Sequence, residues 1–399
     1  MTRIRKKIYL LINLVISVFL CSCNGENDTF SSPRYDAFLE DIEDSIPFEQ
    51  VVESYEYIKL EKNDRCIIGD IDQLIVKDTL LYVLSNGIHC FNLDGSHNFS
   101  INKKGHASSE FTHIKTMSVM ENIICAFDDV QNKLIYYDRE TGEYIRKLQL
   151  PERFPLVFGF GDKIIVDRRS FPCKDATNDE RFLVYDIDNL KKPYKLFIND
   201  LESKNVAHGT LTAVDDGLLF SSIVNNTVWK ITPSTLTEYF RINVPEKYSL
   251  STSQKQSLIN GEQEDVKGKL FYLSFVNENP KFIIGRLILN EDYVFIVYDK
   301  KEDSMIAFKE ISNLKKWKNP PLDIIASDNN AFYAAILPED ISLIKDISDS
   351  IEIPITQQDT IAYNTWCSVT NEDNPIIVKY KLKTIKKNEY EKKLMYLGI

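Results

Sequence analysis

Leu134-Ile135-Tyr136-Tyr137-Asp138-Arg139-Glu140-Thr141-Gly142-Glu143-Tyr144-Ile145 reads as a strand, a polar turn and a second strand. Leu134 to Tyr137 are large apolar and aromatic residues that suit a pleated surface. Asp138 and Gly142 supply turn chemistry. The unit recurs. Ile88-His89-Cys90-Phe91 leads to Asn92-Leu93-Asp94-Gly95, and Phe182-Leu183-Val184-Tyr185 leads to Asp186-Ile187-Asp188-Asn189. Val228-Trp229-Lys230-Ile231 leads to Thr232-Pro233-Ser234, and Phe295-Ile296-Val297-Tyr298 leads to Asp299-Lys300-Lys301-Glu302-Asp303. Ile376-Ile377-Val378-Lys379-Tyr380 is the sixth.

With Phe91, Tyr137, Tyr185, Ile231, Tyr298 and Tyr380 as anchors, the intervals are 46, 48, 46, 67 and 82 residues. The first three match the roughly 40–50 residues of a four-stranded propeller blade. The longer two are the same blade with insertions, at Glu246–Lys269 and Pro338–Thr370, the latter with a helix near Asp340–Ile347. The expectation is an all-β, six-bladed β-propeller over residues 51–383. Its blades fall near 69–101, 111–150, 155–199, 208–244, 268–312 and 320–383. A β-sandwich array or two β domains are the competing architectures.

A ring of blades must close or leave an open edge. No outer strand follows Ile376–Lys383; residues 384–399 form a charged tail. Glu56-Tyr57-Ile58-Lys59-Leu60 resembles the outer strand Glu143–Leu148. Residues 51–61 are therefore expected to complete the last blade.

Composition agrees with a folded chain. Of 399 residues, 43% are hydrophobic and 27% charged, which excludes a disordered or collagen-like protein. The 45 aromatics suit strands and packing between blades. A net charge of −11 makes a general nucleic-acid partner a poor fit.

The first segment reads as an address. Arg3, Arg5, Lys6 and Lys7 precede a short apolar run, Ile8 to Leu20, too brief for a comfortable membrane span. Leu20-Cys21-Ser22-Cys23 resembles a bacterial lipobox. Cys23 fits as the lipidated residue because small Ser22 precedes it, whereas Cys21 follows bulky Leu20. Residues 1–22 are thus expected to be a lipoprotein signal peptide, with an ordinary signal peptide or an anchor helix as alternatives. Its removal leaves 44 basic against 59 acidic residues, or −15. Such a surface is not drawn to anionic headgroups, so the lipid would do the anchoring. Residues 23–50, with eight acids and one base, are expected to be a solvated tether, with room for a short helix around Asp36–Glu43. The expected location is the cell envelope, at the outer membrane, facing periplasm or surface.

The remaining cysteines are Cys66, Cys90, Cys125, Cys173 and Cys367, with no zinc-type spacing. Cys90 and Cys125 lie in strand runs as small hydrophobes. A disulfide among Cys66, Cys173 and Cys367 stays open.

The chain resembles the six-bladed β-propeller lipoproteins abundant in Bacteroidetes-type bacteria. The carriers are Ile58-Lys59-Leu60-Glu61 with Ile68-Gly69-Asp70-Ile71, Phe91-Asn92-Leu93-Asp94-Gly95, and Asn374-Pro375-Ile376-Ile377-Val378. Gly105-His106-Ala107-Ser108-Ser109-Glu110-Phe111 keeps the first Gly, the Glu and the aromatic of a Gly-x-Gly-Pro-Gly-Glu-aromatic segment, but lacks its central Gly-Pro-Gly. The resemblance covers about residues 46–383 and implies a fold, with no agreed reaction.

No HExxH, GxSxG, Walker A or EF-hand pattern is present in the sequence. His97, His106 and His113 invite a metal reading, but spacings of nine and seven put them on separate loops. Asp128-Asp129, Asp186 with Asp188, and Asp215-Asp216 are carboxylate pairs at turns, where Asp caps its own backbone. Arg168-Arg169 reads as a solvated loop pair, or else as anion-binding residues of a funnel. Trp317 and Trp366 lie in the insertions and are candidates for an exposed platform. No catalytic, metal or cofactor residue is assigned. The expected function is a non-catalytic binding or scaffold protein for a protein, peptide or glycan. The alternatives are a propeller hydrolase or lyase with a metal-assisted funnel site, and a subunit of an envelope assembly or sensory complex.

Overall fold

The computed structural model describes residues 34–168, 181–196, 209–260, 262, 265–312, 322–341 and 357–385. Cys23, Arg169, Cys173, Trp317 and the tail beyond residue 385 lie outside them, so the expectations placed there have no structural counterpart. Six small sheets hold all the strands of the described residues.

Blade 1 is β4 (Gln73–Lys77), β5 (Leu80–Leu84), β6 (Ile88–Asn92) and β7 (His97–Ile101). Blade 2 is β8 (Ile114–Val119), β9 (Ile123–Asp128), β10 (Lys133–Asp138) and β11 (Tyr144–Gln149). Blade 3 is β12 (Leu156–Phe160), β13 (Lys163–Asp167), β14 (Phe182–Asp186) and β15 (Asn189–Leu196). Blade 4 is β16 (Gly209–Val214), β17 (Gly217–Ser222), β18 (Thr227–Ile231) and β19 (Leu236–Asn243). Blade 5 is β20 (Leu270–Glu278), β21 (Phe282–Leu289), β22 (Asp292–Asp299) and β23 (Ser304–Ser312). Blade 6 joins β24 (Ile324–Ser327), β25 (Phe332–Ile336) and β26 (Ile376–Leu382) to β3 (Val52–Lys59) from the other end of the chain.

All six sequence anchors fall in the third strand of their blade, at or near its end. Each is buried, with relative exposure of 3% or less. The reason is visible in the core clusters. Tyr137 packs with Leu84, Cys90 and Phe111 between blades 1 and 2, and Tyr185 with Phe127 and Tyr136 between blades 2 and 3. A large ring at this position fills the wedge between twisted sheets, so the period survives insertions elsewhere in the blade. Cys90 and Cys125 belong to the same apolar layers, as their strand context implied.

Ring closure follows the sequence expectation. β3 runs antiparallel to β26, with Ile58 opposite Ile377 and Tyr55 opposite Tyr380. The residues that carry the family resemblance meet at this junction. Asn374 Oδ1 accepts from Ile68 N–H at 2.8 Å, and its Nδ2 donates to the carbonyls of Glu61 (2.8 Å) and Cys66 (3.2 Å). Glu61 N–H donates to Gly95 O at 2.9 Å, and its carboxylate accepts from His97 N–H at 2.9 Å. That backbone contact holds the Glu61 carboxyl below the usual carboxylate range, helped by the Asn63 amide. Gly95 has φ 87°, and a Cβ there would lie 2.2 Å from Lys59 O. Only glycine fits, because the turn of blade 1 sits against the closing strand. The Gly105–Phe111 segment keeps a turn without its Gly-Pro-Gly. Gly105 N–H donates to Phe111 O at 2.9 Å, the Glu110 carboxylate accepts from Ala107 N–H at 3.0 Å, and Phe111 is buried.

The expected tether over residues 23–50 differs from what its described part does. β1 (Tyr35–Phe38) lies parallel on β19 as a fifth strand of blade 4, and β2 (Glu43–Pro47) lies parallel on β23 of blade 5. A short helix α1 (Phe48–Val51) then leads into β3. No helix forms around Asp36–Glu43. Ala37, Leu39, Ile46 and Phe48 are buried, while the acids between them face outward. The apolar residues alternate at strand spacing, so the segment pays for its ordering by covering two exposed sheet edges.

The insertion in blade 5 carries α2 (Thr252–Asn260), and that in blade 6 carries α3 (Gln357–Ser368). The helix expected near Asp340–Ile347 falls mostly outside the described residues. Among the described residues no helix is long and apolar enough to cross a membrane.

Candidate functional site

The first strands of the blades form the inner wall of the ring. Side chains stitch these strands together where adjacent backbones diverge. Gln73 Nε2 donates to Met117 O at 2.9 Å and Gln73 Oε1 accepts from Met117 N–H at 2.9 Å, joining blades 1 and 2. Gly159 N–H donates to Ser118 Oγ at 3.0 Å, joining blades 2 and 3. Ser327 Oγ donates to Glu278 O at 2.7 Å, joining blades 5 and 6. Within the wall is a cavity of about 1120 Å³ to which all six blades contribute. It is larger than a typical small-molecule pocket and of mixed polarity.

The mouth lies where the first strand of each blade turns into the second. Lys77, at the end of β4, reaches Asp215 of the β16–β17 turn at 3.1 Å. Blades 1 and 4 are opposite members of the ring, so this ion pair spans the mouth. Asp216 pairs with Lys230 at 2.9 Å, and Asp78 with Arg139 at 2.8 Å.

Glu278, at the end of β20, is the most enclosed carboxylate of the mouth. It accepts from Lys300 Nζ at 2.6 Å and from the Tyr239 hydroxyl, and Lys230 Nζ stands 3.6 Å away. Lys300 also donates to Asn279 O at 2.7 Å. Burial pushes the Lys300 ammonium pKa down against the pull of Glu278. Burial, and then the neighbouring Glu278, push the Tyr239 phenol up. Tyr239 is therefore a fixed neutral donor and Glu278 a fixed acceptor. Arg34 lies over the rings of Tyr35 and Tyr239 at 5.4 and 5.9 Å, on the lining of the same cavity.

The residues singled out in the sequence are dispersed. His97 hydrogen-bonds Ser100 at 2.8 Å, and His113 pairs with Asp129 at 2.8 Å. Neither lines the cavity, nor does His106. Among the described residues no group of three or more His, Cys, Asp or Glu is placed to hold a metal ion. Asp128 accepts from the N–H groups of Val130 (3.1 Å) and Gln131 (2.9 Å), a turn cap. Asp186 instead pairs with Lys163 at 2.9 Å, while Asp188 is exposed. Asp215 and Asp216 depart from the turn-capping expectation: their carboxylates form ion pairs at the mouth. Arg168 is buried at 3% exposure, neither solvated nor on the cavity wall. Trp366 is buried too, 6.2 Å from the Tyr57 ring, and packs the insertion helix against β3 rather than forming a platform.

Sequence reasoning missed Lys77, Glu278 and Lys300. Each sits at the end of a strand beside a turn, where a charged residue is unremarkable. Only closure of the ring brings blades 1, 4 and 5 to one mouth.

The cysteines described, Cys66, Cys90, Cys125 and Cys367, are all free thiols. Cys66 is buried, and burial pushes its thiol up to about 11, so it is a packing residue of the closure junction.

Comparison with known proteins places the fold. A Bacteroides fragilis protein whose name calls it exported superposes with a TM-score of 0.66 at 15% identity, over 88% of this chain and 100% of that one. A streptogramin B lyase aligns with a TM-score of 0.36 at 12% identity, over 70% of this chain and 79% of that one. At these identities the first likeness shows the fold alone. No curated protein matches the chain. Residues 37–381 match a family described as a domain of unknown function, DUF4934. With most of the propeller inside that match, the chain belongs to the DUF4934 family.

Proposed function

We propose that this protein is a lipid-anchored binding protein of the cell envelope that receives its ligand in the axial cavity without transforming it. The observation that carries this reading is the state of the mouth. Its best-enclosed carboxylate, Glu278, is committed to Lys300 and Tyr239, while the exposed Asp215 and Asp216 pair at the rim with Lys77 and Lys230. A general acid or base needs a lone pair and a proton free to exchange with substrate, which Glu278 does not offer. Glu278, fixed by Lys300 and Tyr239, instead helps to shape the opening, which suits recognition.

The anchor is supported by the Ser22-Cys23 pair after the short apolar run. Arg34, eleven positions after Cys23 in the sequence, lines the cavity.

Two measurements test the reading. Cys23→Ala should move the protein from the membrane fraction to the soluble fraction; retention in the membrane would remove the anchor from the account. A bound compound recovered after long incubation should have unchanged mass. A changed mass would replace binding by catalysis.

A further inference from the structure

The inner strand of blade 5 breaks the regularity of the ring. β20 loses register with β21 twice, between Phe271 and Ser274 and between Ser274 and Asn277. Tyr272 and Phe275 adopt φ of 57° and 51°, and among the described residues no other inner-strand side chain is left-handed. Such a conformation costs a bulky residue about 1–2 kcal/mol. The result is a Phe275 ring 42% exposed on the cavity wall. It is held from behind by Arg286, whose guanidinium lies 4.1 Å from the ring centroid and 4.7 Å from that of Tyr293. Arg286 is fixed in turn by Asp323.

Asn277 lies beside it on the same wall and is only 2% exposed. Its Nδ2 donates to Phe275 O at 3.2 Å and to Ile324 O at 3.3 Å. Two carbonyl partners fix which end of the amide is nitrogen. Among the described residues Oδ1 has no hydrogen-bond partner, and in this conformation it is closed to solvent. A buried acceptor left in that state costs about 1–3 kcal/mol and calls for a donor.

The remaining unspent groups of the wall are of both signs. The side chains of Asp72, Glu121 and Lys115 belong to residues lining the cavity and, among the described residues, have no ion pair or side-chain hydrogen bond. A strongly cationic or anionic ligand would meet one of these as a like charge. A neutral ligand with many hydroxyls meets none, because each hydroxyl both donates and accepts.

We infer that the blade 5 wall, Phe275 with Asn277, is a saccharide subsite of the axial cavity. A pyranose ring lays its apolar face on Phe275, and the Asn277 amide turns its Oδ1 into the cavity to accept from one hydroxyl. This inference rests on the binding reading above and names the class of ligand.

The test is calorimetric titration of the purified mature chain with neutral hexasaccharides of α-glucan, β-glucan, xylan and mannan. A pool of terminally capped hexapeptides is titrated in parallel. At least one saccharide should bind saturably. Phe275→Ala should weaken it about tenfold, a ring-stacking loss. Phe275→Trp should retain binding. Phe275 is half exposed, so both variants should melt with the wild type; Asn277→Ala should weaken binding similarly and is read alongside its own melting curve. Saccharide binding unmoved by Phe275→Ala would overturn the subsite. Binding of peptide alone would overturn the saccharide assignment and leave the binding function standing. Binding of neither would overturn both.

Discussion

Blades 2 and 5 are the same four-stranded unit, and they differ in what has been added. Blade 2 fits between its anchor and turn with one register shift on its inner strand and one at its edge. Its outer strand β11 is free and mostly exposed, with Tyr144 and Ile145 at the surface. Blade 5 carries a fifth strand on that edge, a helical insertion before it, and a doubly bulged inner strand. The common parts hold the ring together, and the added parts shape the cavity and its approach. Packing residues recur because every wedge between blades has the same shape. Site residues do not recur, since each blade contributes different side chains to a shared cavity.

The largest effect that would break this comparison concerns the shared parts. A chain beginning at residue 61 lacks β3 and should give no cooperative melt, because β26 is left with an open edge in the core of blade 6. A chain beginning at residue 48 loses only β1 and β2 and should still melt cooperatively, at a lower temperature. Equal behaviour of the two would erase the distinction between closing strand and added strap.

A smaller effect, in blade 1, is pH-dependent. His89 is 1% exposed between Ser100 and Asn86, and burial lowers its pKa from 6.5 to about 4. The unfolded chain therefore binds a proton that the folded chain refuses. The contribution is present above pH 6.5 and is lost as pH falls from 6.5 towards 4. At about 1.4 kcal/mol per unit it should amount to ~3 kcal/mol. Urea unfolding at pH 7 and pH 4.5 should show a loss that His89→Gln reduces.

The closure clasp comes next. Asn374→Ala removes three hydrogen bonds and leaves Ile68 N–H buried, so a loss of about 2–3 kcal/mol is expected by urea unfolding. The mouth should be the least costly to change. Lys77→Ala breaks a largely solvated pair across the ring and should alter stability by less than about 1 kcal/mol.

Much of the shared frame was legible in the sequence, for physical reasons. Phe91, Tyr137 and Tyr185 repeat because an inter-blade wedge demands a large ring. Tyr57-Ile58 resembled an outer strand because it is one. The strap was not legible, since eight acids between residues 24 and 50 outweighed a few alternating apolar residues, whose value depends on an edge supplied by blades 4 and 5. The candidate site was least legible. Nothing in Phe275 or Asn277 marks them out locally; two bulges in β20 turn them to the wall. The family-marking residues Asn374, Glu61 and Gly95 were visible, and the structure makes them fasteners of the ring rather than contacts of the cavity.

The central claim is that the ring is one unit closed by the N-terminal strand. Native-state hydrogen exchange of the amides of Tyr55 to Lys59 tests it most directly. They should exchange only through global unfolding, with the same free energy as the amides of Ile376 to Tyr380. Exchange of Tyr55 to Lys59 at a much lower free energy, with β26 still protected, would contradict it.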